Sequence, residues 1–430
     1  MRPTTTCAAI DFGTSNSAIV LVQPADGEVR LVELEPGRPT MPTAVFYRSD
    51  EPLRHYGREA IAAYVDGYEG RLMRSMKSVL GSDLLDQATE IGPGQAVRLA
   101  DVVAGYLAEL KRRAEASAGQ GLDRVVLGRP VYFVDDDPRR DARAQAALHE
   151  AARRVGFSDV RFQYEPIAAA LDHERRARHE HCVLVADIGG GTSDFSVVRV
   201  GPERAQRLER KDDILANHGV HIAGTDFDRR VELAAILPEF GYGAYGPSIA
   251  GAPPREVPSG VYFDLATWHL INTVYNPARV AELRSLRPFY ADTRQHDRLM
   301  TVVEERLGHE LAARAEGAKI AVAEGGHTRI DLSHVERALA VELGEAQAVA
   351  ALEADIERIV AAARETALRA GLGPSGIDAL YFTGGSTGLR LLAQRIAAAF
   401  PAARVVRGDR FASVASGLAV FAQRWFDRPA

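Results

Sequence analysis

Two segments of the chain repeat one another, so any fold that holds both is built around a duplication. Cys7 to Val22 reads CAAIDFGTSNSAIVLV, and Cys182 to Val200 reads CVLVADIGGGTSDFSVVRV. Each is an apolar run ending on an aspartate, a turn of glycine and hydroxyl residues, and a second β-branched run. No helical periodicity follows either turn, so each segment reads as strand–turn–strand. With one hairpin in each of two lobes, the turns can face each other as a clamp.

The rest of the 430 residues fits around that pair. Ala100 to Ala118 is helical by period and ends at Gly119. A strand at Asp123 to Pro130, a helix at Asp141 to Val155 stopped by Gly156, a strand at Val160 to Gln163 and a helix at Pro166 to Arg178 follow. This β-α-β-α order predicts an α/β lobe with helices packed on its sheet. After the second hairpin, Leu233 to Pro258 is rich in Gly and Pro without a period, and reads as loops of a small, mobile insertion. Leu299 to Glu324 is read as the longest helix, closed by Gly325 and Gly326. A strand at Ala379 to Phe382, a glycine turn, a helix at Leu389 to Phe400, a strand at Arg404 to Val406 and a last helix complete the order. No low-complexity tail precedes Ala430, and the module is expected to act alone or through a partner.

Charge and composition remove several classes. A net charge of −6 gives no basic face for nucleic acid and no polybasic segment for an anionic membrane. Cys7 and Cys182 each lie in an apolar run and read as small buried hydrophobes rather than a disulfide, which points to a reducing compartment. The N-terminus lacks an apolar signal core, and no run approaches the roughly 18 apolar residues of a membrane span. A cytoplasmic protein is expected.

Gly-rich turns bind phosphate because backbone N–H groups free of side chains approach its oxygens closely. Gly189, Gly190, Gly191 and Thr192 offer three such groups and a hydroxyl; Gly13, Thr14, Ser15 and Asn16 offer one glycine and three polar side chains. Read without a ligand, both are simply tight hairpin turns. Asp11 and Asp187 stand at the ends of buried strands with no cation nearby in sequence, a costly placement unless one is supplied. Mg²⁺ suits two such carboxylates, held through water and bridging to phosphate; capping of local N–H groups is the other reading. Neither turn is a GxxxxGK[ST] P-loop or a GxGxxG fingerprint opening a helix. A third cluster, Thr383 to Gly388, joins a strand to a helix, where a nucleoside or phosphate edge can rest.

Taken in order, these motifs resemble the nucleotide-binding domain of the seventy-kilodalton heat-shock, DnaK-type chaperones. The matching segments are Asp11 to Ser17, Tyr164 to Leu171, Asp187 to Asp194, Ala223 to Asp228, Gly384 to Thr387 and Ala415 to Ala419. Val126 to Pro130, Phe162 to Pro166 and Asp187 to Thr192 look closest to the YegD-type branch, which lacks a peptide-binding domain. The resemblance implies an actin-like ATPase fold of two duplicated α/β lobes with nucleotide between them. Lobe I is about residues 1–180 with an insertion near 37–108; lobe II is about 181–430 with an insertion near 229–305. It implies ATP/ADP and Mg²⁺ as cofactors and a client protein or co-chaperone as partner.

Residue by residue, the resemblance makes Lys77 the lysine beside the γ-phosphate, Glu165 the glutamate of the metal and water network, and Thr192 the neighbouring hydroxyl, with Asp187 beside them. Pro130 matches a proline proposed to relay nucleotide state. The phosphate cradle would be Gly13 to Asn16 and Gly189 to Thr192, with Asp11 and Asp187 for the metal. Gly224, Gly384, Gly385 and Ser386 would line the nucleoside, and Glu316 and Lys319 would hold ribose and adenine. Departures fall in the base half: Gly388 replaces an adenine-stacking arginine, Ala323 a hydroxyl, and Phe411 an acidic residue. Slow ATP hydrolysis by a chaperone-like switch is the implied function. A filament-forming actin relative, a nucleotide-binding pseudo-ATPase and a sugar- or acetate-type kinase stay open as alternatives.

Overall fold

The computed structural model describes residues 6–23, 28–92, 94–247, 253–409 and 412–426. Cys7–Phe12 pairs antiparallel with Asn16–Val22, Cys7 opposite Val22. Alternation along the strand sends Ala8, Ile10 and Phe12 into one core and Cys7 and Ala9 into the opposite one, so a strand covered on both faces is apolar throughout. The second copy does the same. His181–Ile188 pairs antiparallel with Ser193–Val200, with Leu184, Ala186 and Ile188 on one side and Val183 and Val185 on the other.

The duplication extends across five strands of each sheet, the first sheet adding Thr40–Pro42 beside Asn16–Val22. Beside Cys7–Phe12 lie Arg124–Arg129 and then Asp159–Tyr164, both parallel; beside His181–Ile188 lie Ala379–Thr383 and Arg404–Arg407, also parallel. Val29–Leu31 and Ile214–Val220 are the antiparallel neighbours of the two second hairpin strands. Helices Leu99–Ala118 and Pro138–Arg154 of the first lobe correspond to Glu345–Arg369 and Arg390–Ala399 of the second. Their ends follow local chemistry. Gly119 adopts φ 69° at the close of the first, and the Asp137 carboxylate accepts from the N–H groups of Arg139 and Arg140 at the start of the second.

Each lobe ends on a helix, Glu165–Glu174 and Ser413–Phe426, and these two share a core with the facing sides of both sheets. At their crossing a Cβ on Gly417 would stand 2.0 Å from the Ala168 carbonyl oxygen. Small subdomains project from both lobes. In the first, strands Ala44–Arg48, Arg54–Tyr56 and Gly70–Arg74 form a sheet beside helix Gly57–Val65. In the second, a separate apolar core gathers residues between Val231 and Ala348.

Three expectations are corrected. The segment from Leu299 to Glu324 is not one helix but the end of Thr293–Glu304 followed by Gly308–Val322, because Arg306 between them takes φ 57°, which a right-handed helix cannot continue. The longest helix is instead Glu345–Arg369, an Ala-rich stretch whose small side chains give a weak apolar period. Leu233 to Pro258 begins with a π-helical turn at Glu232–Ile236 and a 3₁₀ turn at Leu237–Phe240, drawn in by burial of Leu233, Ile236, Leu237 and Phe240; residues 248–252 lie outside the described residues. The helix expected to Arg178 stops at Glu174, whose carboxylate accepts from Arg210 and from the Gly201 N–H. The two cysteines stand in different sheets. Among the described residues no helix is long and apolar enough to cross a membrane.

Candidate functional site

The two hairpin turns meet between the lobes. A Cβ on Gly190 would lie 2.8 Å from Ser15 Oγ of the opposite lobe. The first turn is tight, since a Cβ on Gly13 would stand 2.3 Å from the Asn16 carbonyl oxygen. Thr43 braces it: its hydroxyl donates to the Gly13 carbonyl at 2.7 Å and its N–H to the Ser15 carbonyl at 2.9 Å. Thr14 is half-buried beside them and Asn16 exposed.

The second turn is closed by the Gly189 N–H on the Thr192 carbonyl at 3.0 Å. Its own carbonyls are tied back into the protein. Gly189 O accepts from the Gly224 N–H at 3.2 Å and from Ser386 Oγ at 2.7 Å, and Gly190 O from the Thr225 N–H and hydroxyl, both at 2.8 Å. No protein atom comes within 4 Å of where a side chain on Gly191 would begin. The turn is rigid on one side and open on the other.

Behind the turns stand Asp11, Glu165, Asp187 and Asp194 with one cation, Lys77, whose Nζ lies 2.5 Å from Glu165 Oε1. Burial, then Glu165 and Asp187, raise the Asp11 carboxyl to about 8 against the pull of Lys77. Burial, then Asp194 and Glu165, raise Asp187 to about 7. Burial and Glu165 also raise Asp194, although Thr192 Oγ1 donates to it at 2.7 Å. Burial opposes the charge on Lys77, but Glu165, Asp11 and Asp187 outweigh it and hold its pKa above the ordinary value. The cluster is short of positive charge. Among the described residues no three acidic, His or Cys groups converge tightly enough to hold an ion directly. A cation placed here would need water and ligand oxygens for most of its shell, the coordination Mg²⁺ favours.

Sequence reading assigned no site role to four members of this region. Asp194, Thr43 and Thr225 are named above; the fourth is Gly128, where a Cβ would press on Glu165 Cγ at 3.1 Å and Leu418 Cδ1 at 3.3 Å. Asp194 closes the D-I-G-G-G-T-S-D run and was legible there. The others act through contacts distant in sequence.

Among the residues expected to line a nucleoside, Lys319 pairs with Asp228 at 2.6 Å and its Nζ reaches the Gly224 carbonyl at 3.4 Å. Burial raises the Asp228 carboxyl to about 6 despite Lys319. Glu316, one turn back on the same helix, is exposed. Gly384 adopts φ 86°, and a Cβ there would lie 2.4 Å from the Ile188 carbonyl oxygen and 2.7 Å from Asp187 Oδ1. Its turn therefore abuts the end of the strand His181–Ile188, and Gly385–Gly388 continue as a 3₁₀ turn. Arg390 is held by Glu345 at 2.7 Å, and its N–H donates to the Ala323 carbonyl at 2.9 Å. The Pro130 carbonyl accepts from Arg129 Nε at 3.0 Å. Phe411 lies outside the described residues.

Comparison with known proteins reaches the segments from Asp11 to Asp228. The profile described as Hsp70 protein matches residues 7–241. The chain is similar to the chaperone protein DnaK of Thermosipho melanesiensis, 33% identical over 226 residues, 52% of this chain and 34% of that one. It resembles DnaK of Thermotoga maritima at 33% over 225 residues, 52% and 34% of the two chains. The chaperone protein HscA homolog of Shewanella denitrificans is 31% identical over 209 residues, 44% of this chain and 32% of its own length. The matched region spans about a third of these relatives.

Proposed function

Because this chain belongs to the Hsp70 family and carries its chaperone-type ATPase domain on the actin-like fold, we propose that it binds Mg-ATP between its lobes and hydrolyses it slowly, as a conformational switch. One observation carries the reading: two duplicated Gly turns meet across a cleft backed by four carboxylates and a single lysine. That arrangement is short of cations and open to phosphate. Asp11 and Asp187 would hold Mg²⁺ through water, and Gly13 to Asn16 with Gly189 to Thr192 would cradle the phosphates. Bound to the triphosphate, the metal supplies charge neutralisation.

The chain's own groups do the rest. Lys77, Glu165 and Thr192 fix a water in line with the γ-phosphoryl group. Its oxygen bonds to phosphorus as the bond to the bridging oxygen breaks, ADP leaves with the electron pair, and the water's proton passes to an oxygen of the new phosphate. Positioning and preorganised charge account for such catalysis. Gly224, Ser386, Glu316 and Lys319 line the nucleoside end, where Lys319 leaves Asp228 for the ribose. Residues 1–180 and 181–430 are the bodies that close, and their relative position is what a client protein or co-chaperone reads. Calorimetry and single-turnover hydrolysis with Mg-ATP test the proposal. Absence of binding at millimolar nucleotide sinks it, and binding without turnover reduces it to a nucleotide-held scaffold.

A further inference from the structure

Residues 175–180 connect the helix Glu165–Glu174, which ends the first lobe, to the strand His181–Ile188, which opens the second. A histidine stands at each end of that connection. His173 is 6% exposed and His181 half-buried, and their Nε2 atoms lie 2.9 Å apart. The contact continues outward at both ends. His181 Nδ1 lies 3.0 Å from the His179 carbonyl oxygen, and Arg404 Nη2, on the edge strand of the second sheet, lies 3.5 Å from His173 Nδ1.

These contacts fix each proton in the chain. A carbonyl only accepts, so His181 Nδ1 carries a hydrogen; a guanidinium only donates, so His173 Nδ1 is bare. A neutral ring has one N–H, which leaves His173 to donate from Nε2 to the bare Nε2 of His181. Both imidazoles are therefore neutral, each in one tautomer. The surrounding charges favour that state. Arg404 and Arg176 face His173, and Asp172 opposes them, but Asp172 is bonded to Arg176 at 3.1 Å. Glu180, within the connection, is turned to Arg204 at 2.6 Å. Burial, His181 and Arg404 hold the pKa of His173 below the ordinary 6.5.

We propose that the His173–His181 pair is a pH-sensitive staple across the connection between the lobes, closed while both rings are neutral and opened by one proton. An added proton has no place in the chain. On His181 it takes Nε2, where it meets the N–H of His173. If that N–H moves to Nδ1 to make way, it faces the Arg404 guanidinium instead. Two donors then confront each other in a largely buried setting, with a new cation beside Arg404 and Arg176, so the rings separate. The helix end stays in place, since the neighbouring Glu174 is held by Arg210 at 2.8 and 2.9 Å. What loosens is the connection itself and the first residue of the second lobe's strand. In the unfolded chain His173 ionises near 6.5, above its folded value, so the stability that the staple contributes falls as pH drops below that point. The direction is opposite to that of Asp11 and Asp187.

Imidazole ¹⁵N spectra and amide hydrogen exchange on the full chain, without nucleotide, test it. At pH 7.5 His173 shows a bare Nδ1 and a protonated Nε2, and His181 the reverse. The exchange probes are the N–H groups of Arg176, Ala177 and Cys182, which donate to the His173 and Glu174 carbonyls and to Asp378. From pH 6.5 to pH 5 their protection in the wild type, with intrinsic exchange divided out, falls by up to about tenfold per pH unit, the limit for one proton. His181→Ala shows the low protection already at pH 7.5. His173→Gln keeps a donor and can also turn its amide oxygen to accept from a protonated His181, so its protection stays level over the same range. The carboxyls of the cleft titrate alike in all three proteins and cancel in the comparison. The opposite tautomers at pH 7.5 overturn the proposal, as does a wild-type profile that matches His173→Gln.

Discussion

Gly190 and Gly191 are neighbours with different reasons for lacking a side chain. A Cβ on Gly190 meets Ser15 Oγ at 2.8 Å, whereas one on Gly191 meets no protein atom within 4 Å. Gly190→Val therefore pushes the two turns apart and abolishes ATP binding, as titration calorimetry would register. Gly191→Ala has room in the free protein, so it keeps the wild-type melting temperature and loses ATP affinity, because the side chain occupies the phosphate's approach. An unaltered affinity in Gly191→Ala removes that turn from the site. Lys77 is the cluster's one cation, paired with Glu165 at 2.5 Å. Lys77→Ala is expected to leave nucleotide binding largely intact while hydrolysis falls by on the order of 10²-fold, the scale of one lost preorganised charge stabiliser. Equal single-turnover rates in mutant and wild type would release the lysine from that role.

At the scale of elements, the crossing of Glu165–Glu174 with Ser413–Phe426 joins the lobes. It works because Gly417 and Ala168 bring two helix backbones together, with space for no Cβ on Gly417: the Ala168 carbonyl carbon and oxygen would lie at 2.5 and 2.0 Å. Backbone cannot yield as a flexible side chain does, so Gly417→Ala forces the helices apart. Overpacking of this kind costs about 1–3 kcal/mol, and Glu165, at the first residue of its helix, moves with it. The variant should lose stability in urea melts and also turn over ATP more slowly once folded. A stable variant with normal turnover would show that the crossing is looser than described.

For the whole molecule, the raised carboxyls couple stability to pH. Asp11 and Asp187 hold protons in the folded state to about 8 and about 7, whereas unfolded they ionise near the ordinary 3.8. Between those limits the native state binds more protons than the unfolded state, so stability falls as pH rises. From pH 5 to pH 8 the melting temperature of the ligand-free protein should decline on this account. Mg-ATP, which favours the ionised carboxylates, should raise it more at pH 8 than at pH 5. A ligand effect that is the same at both pH values would place the metal away from these aspartates.

What the sequence determined by itself was whatever depends on local pattern. The duplicated hairpins were legible because strands buried on both faces are apolar throughout, and an aspartate closing such a strand is conspicuous. The glycine turns were legible for a similar reason, since Gly189 to Gly191 stand together in the chain. Tertiary structure decided the rest. Arg306 interrupts a helical period that continues smoothly past it, and only its backbone torsion reveals the break. Thr225 and Gly128 fall inside the matching segments Ala223 to Asp228 and Val126 to Pro130, but their contacts, like that of Thr43, run to partners 35, 37 and 30 residues away and emerge only in the fold. The charge deficit around Lys77 arises only when strands from both lobes converge, because no short stretch of the chain contains Asp11, Glu165 and Asp187 together.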